Sequence, residues 1–82
     1  MPKLPQASGA ELVRLLQSLG YEVVRQRGSH IRLKKLTASG EHAITVPAHK
    51  VIAKGTLNDI IGRVSLWNSI GREELNRRLR KS

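Results

Sequence analysis

Two stretches of the chain repeat their apolar residues at i, i+3, i+4 and i+7. Leu12, Leu15, Leu16 and Leu19 form the first stripe; Leu57, Ile60, Ile61 and Val64 form the second. That spacing predicts two amphipathic helices, each with one face to bury. Ser8 and Glu11 make a capping box that opens the first helix, and Gly20 stops it. Thr56 is expected to cap the second, with Asp59 in its first turn. Between the stripes the period changes to two. Tyr21 to Arg27, His30 to Leu36 and His42 to Val46 read as three strands, the last ended by Pro47, which has no amide to donate. Thr37 to Glu41 has turn chemistry, and residues 47–55 read as a loop. The pattern loosens after Val64, and a last helix is expected near Gly71, with Leu75 and Leu79 beside Arg72, Arg77, Arg78 and Arg80. Residues 1–7, with Pro2 and Pro5, read as an irregular lead-in.

The order is helix, three strands, helix, with an extra C-terminal helix. An antiparallel three-stranded sheet offers one face on which both stripes can be buried, which leaves its other face open. The expectation is an α+β fold, α-β-β-β-α, as in the double-stranded-RNA-binding domain. Its core spans about residues 8–64, with a helical extension over 65–82 and no linker to divide them.

Strands one and two are separated by Gly28-Ser29, a two-residue hairpin signal. Arg27 then sits opposite His30, Arg25 opposite Arg32 and Val23 opposite Lys34. A bulge at Gly28 would shift this pairing by one residue. Directly paired residues share a face, as do residues two apart. Arg25, Arg27, His30, Arg32 and Lys34 therefore project together, while Val24, Ile31 and Leu33 turn towards the core.

Charge sharpens the picture. Fifteen Lys and Arg against six Asp and Glu give a net charge of +9, and no acidic residue lies between Glu22 and Glu41. A clustered, one-signed patch favours a polyanion, either nucleic acid or an acidic protein. Single-strand readers stack bases on exposed aromatics, yet the chain's aromatics are Tyr21 and Trp67 alone. Phosphate contacts must therefore carry most of the affinity. The chain has no cysteine, so it supports neither a disulfide framework nor a thiolate metal site. No apolar run approaches the roughly 20 residues that cross a bilayer, and the N-terminus lacks the apolar stretch of a signal peptide. A cytoplasmic protein without a membrane partner is expected.

The run Gly20-Tyr21-Glu22-Val23-Val24-Arg25-Gln26-Arg27-Gly28-Ser29-His30 closely resembles the core of the HicA toxins, the RNA-cleaving half of bacterial HicA–HicB toxin–antitoxin pairs. The similarity continues through Thr45-Val46-Pro47-Ala48-His49 and Lys54-Gly55-Thr56-Leu57 to Ile60 and Ile61, covering about residues 8–64. It implies a dsRNA-binding-like fold, metal-independent mRNA cleavage with His30 as the catalytic residue, and an inhibitory HicB-like antitoxin. The tail departs from the family pattern, with Trp67 among several intervening residues and Leu75 where an aromatic is common.

The chemistry is consistent with that resemblance. Metal-free RNA cleavage needs a base for the 2′-hydroxyl, positive charge around phosphorus and an acid for the 5′-oxygen. Imidazole titrates near neutrality and suits the first role. Arg25, Arg27, Arg32 and Lys34 suit the second. Ser29, as a turn residue, and His49, Lys50 and Lys54, in and beside the following loop, complete the RNA-binding candidates. Water, Lys34 or His49 are open choices for the acid. His42 shares parity with Ile44 and Val46 and is expected to be a partly buried strand-edge residue; Trp67 is expected to plug the small core. The histidines lack zinc-ligand spacing and an accompanying carboxylate, so neither metal nor cofactor is expected. The alternative function is a non-catalytic RNA-binding module of the same fold.

Overall fold

The computed structural model describes residues 6–81, so most of the proline-bearing lead-in lies outside the described residues. The order is α1 (Gly9–Ser18), β1 (Glu22–Arg27), β2 (His30–Thr37), β3 (Gly40–Pro47), α2 (Lys54–Asn68) and α3 (Arg72–Lys81). The strands form one antiparallel sheet in the order β1-β2-β3. This is the expected α+β architecture. The anticipated capping box is present at the start of α1: Glu11 N–H donates to Ser8 Oγ at 3.1 Å, and Ser8 N–H donates to Glu11 Oε1 at 3.0 Å. Leu12, Leu15 and Leu16 of α1 are buried against Leu57, Ile60, Ile61 and Val64 of α2 and Leu33, Ile44 and Val46 of the sheet.

Three local expectations need correction. The second helix begins at Lys54, with Ala53 at the N-cap and no side-chain cap bond, so Thr56 lies inside its first turn and caps nothing. Asp59 instead pairs with Arg63, one turn on, at 3.1 Å. The helix also continues past Val64 to Asn68, where Ser69 ends it in the left-handed conformation, φ 53°. The loosened pattern reflects Ser65 and Trp67, which are half-buried, and Leu66, an apolar side chain left exposed.

The third correction concerns register. Arg27 pairs with His30 and Arg25 with Arg32, as expected, but a bulge between Val23 and Arg25 then places Val23 opposite Leu33 and Glu22 opposite Lys34. The extra residue, Val24, is 46% exposed rather than in the core. The bulge reverses the side-chain parity of everything before it. It lets Arg25 and Arg27 stay on the open face while Tyr21, which unbroken alternation would put there too, is buried on the other. Tyr21 is 3% exposed, and its hydroxyl is hydrogen-bonded to Nδ1 of His42, 2.6 Å away.

His42 is thus more deeply placed than a strand-edge residue, at 5% exposure. Trp67 stacks on its ring, 4.8 Å between centroids. Asn68 Nδ2 donates to the Tyr21 hydroxyl at 3.0 Å and to the Val64 carbonyl at 2.9 Å, while its Oδ1 accepts from Lys35. This cluster ties β2, β3 and the residue that leads into β1 to the end of α2.

The last helix is packed into the same core. Leu75 and Leu79 are 0% and 2% exposed, and full burial of each is worth about 1.5–3 kcal/mol. Glu74 accepts from both Arg77 and Arg78, but exposed pairs of this kind contribute about 0–1 kcal/mol. The leucines hold α3 in place.

Candidate functional site

The site is built on the β1–β2 turn. Gly28 has φ 57°, while Ser29 is not in the positive-φ region, the pattern of a type II′ hairpin turn with glycine first. A side chain at Gly28 would strain this turn. The register around it needs no bulge at Gly28, and it brings Arg27 directly opposite His30 and Arg25 opposite Arg32. All four side chains are exposed. On β2, Arg32 follows His30 on the same face at about 7 Å, so the imidazole is flanked by guanidinium groups across the strand and along it. Like charges placed directly opposite one another destabilise a sheet. A fold that keeps Arg25 against Arg32 carries a local cost, the kind of exception expected at a functional surface.

On the far strand, Thr45 faces Arg32 and Pro47 faces His30. The Thr45 hydroxyl lies 3.5 Å from Arg32 Nη1, at the outer limit of a hydrogen bond. Lys34 differs from the arginines. It is opposite Glu22, and its ammonium lies 3.6 Å from Glu41, so two carboxylates close that end of the patch. Neither was legible as a neighbour, because Glu22 reaches the open face only through the bulge.

The loop after β3 is fixed to the turn by its backbone. Ala48 N–H donates to the Ser29 carbonyl at 2.7 Å, Gly9 N–H to the His49 carbonyl at 2.9 Å, and Ile52 N–H to the Ala7 carbonyl at 2.8 Å. Ile52 is buried, whereas His49, Lys50 and Lys54 are exposed. Gly9 is essential to this arrangement, since a Cβ there would lie 2.2 Å from the Pro47 carbonyl oxygen and 2.9 Å from Ala48 Cα. Ser29 is thereby engaged through its carbonyl, and its side chain is exposed. The structure brings His30, Arg25, Arg27 and Arg32 together, with Ser29 and His49 beside them. Lys50 and Lys54 stand farther along the loop and at the start of α2.

The buried histidine belongs to a different environment. Burial, with a smaller contribution from Arg63, lowers the basicity of His42. Its Nδ1 shares a hydrogen bond with the Tyr21 hydroxyl. Burial likewise raises the Tyr21 pKa, partly offset by the bond from Asn68. Among the described residues, no group of three or more His, Asp and Glu side chains is arranged to hold a metal ion, and no helix is long and apolar enough to cross a membrane.

A family model described as the HicA toxin of bacterial toxin–antitoxin systems matches residues 9–66. The chain belongs to the HicA toxin family. The match runs from the first residue of α1 nearly to the end of α2, so it includes the whole sheet, the β1–β2 turn and Gly9. Toxins of the HicA family are generally RNA-cleaving. No curated protein and no solved structure matches the chain. The third helix lies beyond the HicA match, although Leu75 and Leu79 belong to the same core cluster.

Proposed function

We propose that the open face of the sheet is the RNA-cleaving surface of an mRNA interferase toxin, with His30 as its catalytic base. The observation that carries this is the placement of an exposed imidazole among Arg25, Arg27 and Arg32 on one face. His30 takes the proton of a ribose 2′-hydroxyl, and the 2′-oxygen attacks the adjacent phosphorus. The guanidinium groups hold the phosphate and stabilise the charge that grows on its oxygens. The bond to the 5′-oxygen breaks, leaving a 2′,3′-cyclic phosphate and a 5′-hydroxyl. Ser29, Lys34, His49, Lys50 and Lys54 extend the RNA-binding surface on either side. No cofactor enters the scheme, because the reaction needs only proton transfer and charge stabilisation.

The antitoxin follows from the same surface. A protein that silences it has to cover His30 and meet three arginines, so a HicB-like partner is expected to present Asp and Glu there. Both partners would act in the cytoplasm, where mRNA is found.

The test is a comparison of wild type and His30→Ala on labelled RNA, with and without EDTA. His30 is exposed, so its loss should change stability by less than about 0.5 kcal/mol and leave binding nearly intact. Cleavage should fall by about 100-fold or more, and wild-type cleavage should survive the chelator. Undiminished cutting by the variant would remove His30 from the mechanism. Binding without cutting by the wild type would make the chain a non-catalytic RNA-binding module.

A further inference from the structure

The cleavage scheme lacks a donor for the departing 5′-oxygen, and the geometry discriminates among the side chains that could supply one. Base and acid act on opposite sides of one phosphorus, in line. With each nitrogen within hydrogen-bond reach of its oxygen, the two lie about 9 Å apart or less. Lys34 is four residues from His30 along β2, a separation of about 13 Å, and its ammonium is drawn to Glu41, opposite Leu36 and farther still from His30. Arginine holds its proton too tightly to act as an acid near neutral pH.

His49 is placed differently. Pro47 pairs directly with His30, which sets their Cβ atoms about 5 Å apart. Two further residues add at most about 7 Å along the chain, so the Cβ atoms of His30 and His49 are at most about 12 Å apart, a span that two imidazoles turned towards one phosphate can close. The connection is held at both ends: Ala48 N–H is bonded to the Ser29 carbonyl, and the His49 carbonyl accepts from Gly9 N–H. The His49 carbonyl is thus turned to α1 while the residue as a whole is exposed. Among the described residues, no hydrogen bond, ion pair or ring contact engages either imidazole.

We infer that His49 is the general acid of this surface, giving its proton to the 5′-oxygen while His30 takes the 2′-proton. The proposal rests on the RNA-cleaving reading and deepens it. Atoms balance without a further reagent: one proton leaves the 2′-oxygen for His30, one leaves His49 for the 5′-oxygen, and the P–O2′ bond replaces the P–O5′ bond.

The experiment pairs ordinary RNA with a strand in which sulfur replaces the bridging 5′-oxygen at one linkage. A thiolate departs without being protonated, so cleavage there does not need the acid. At saturating protein, His49→Ala should cut ordinary RNA about 100-fold more slowly or worse and cut the sulfur linkage at the wild-type rate. His30→Ala should be slow on both substrates. Equal losses by His49→Ala on both substrates, or no loss on either, would overturn the assignment of His49 while leaving the cleavage reading intact. A wild-type protein that cuts neither substrate would overturn both together.

Discussion

Gly9→Ala is the most informative single change to the scaffold, because the helix and its surroundings make opposite demands. Considered only as a helix residue, alanine is better than glycine by about 1 kcal/mol. The fold reverses that preference. The added Cβ would lie 2.2 Å from the Pro47 carbonyl oxygen, 2.9 Å from Ala48 Cα and 3.1 Å from the Pro47 carbonyl carbon. These are backbone atoms, and relief requires α1 and the β3–α2 loop to separate by about 1 Å. Overpacking of this kind costs about 1–3 kcal/mol. Stretching the Gly9–His49 hydrogen bond adds about 0.5–1.5 kcal/mol. Against the propensity gain, the net destabilisation is about 0.5–3.5 kcal/mol. Gly55 is the internal control: it lies in the first turn of α2, and a Cβ there meets nothing within 4 Å. Gly55→Ala should stabilise by up to about 1 kcal/mol. Urea unfolding followed by the fluorescence of Trp67, which stacks on His42, measures both variants against wild type. The midpoint should move down for Gly9→Ala and up for Gly55→Ala. RNA cleavage by folded Gly9→Ala should also fall, since a displacement near 1 Å can cost about 100-fold in rate. A Gly9→Ala protein as stable as Gly55→Ala would refute the close-packed clamp.

Two other expectations come from the charged and titratable groups. His42 has its basicity lowered in the fold, so the unfolded chain binds that proton more readily. Its contribution to stability is therefore full above the ordinary histidine pKa of 6.5 and is lost as pH falls below that value. Glu11 and Glu74 are held below their ordinary 4.5 by hydrogen bonds from Ser8 and from Arg78 and Arg77 respectively, so their contributions are lost only in more acid solution. Urea titrations between about pH 7 and 5 should show a decline in wild type that is largely absent from His42→Phe; equal slopes would contradict it. RNA affinity, measured on a 2′-O-methyl strand, should fall by about 10-fold or more per few phosphate contacts between about 50 and 200 mM salt. Arg25 and Arg32 replaced together by Ala should flatten that slope, and a salt-independent affinity would contradict phosphate recognition.

Much of this was legible in the sequence because the decisive signals are local. The capping box at Ser8, the two leucine- and isoleucine-rich stripes, and the Gly28-Ser29 turn each depend on a few neighbouring residues. The pairs Arg27 with His30 and Arg25 with Arg32 followed from the turn alone. What escaped depends on contacts between distant segments. The bulge at Val24 is decided by Tyr21 needing a place beside His42, and no pattern within β1 announces it. Nothing in the neighbouring sequence marks Gly9, because its constraint is the Pro47 carbonyl, 38 positions away in the numbering. Thr56 had the composition of a cap, but Lys54 and Gly55 were already helical. The neighbours of Lys34, Glu22 and Glu41, likewise emerged only once the register was known.

The central claim is that the open face cuts RNA through its own 2′-hydroxyl, and product ends test that claim most directly. Wild-type protein in EDTA is given an end-labelled RNA and its all-2′-deoxy counterpart of the same sequence, and both binding and fragments are measured. Both strands should bind, and only the RNA should be cut, leaving 2′,3′-cyclic phosphate on one fragment and a 5′-hydroxyl on the other. Cleavage of the deoxy strand, or fragments bearing 5′-phosphates, would contradict it.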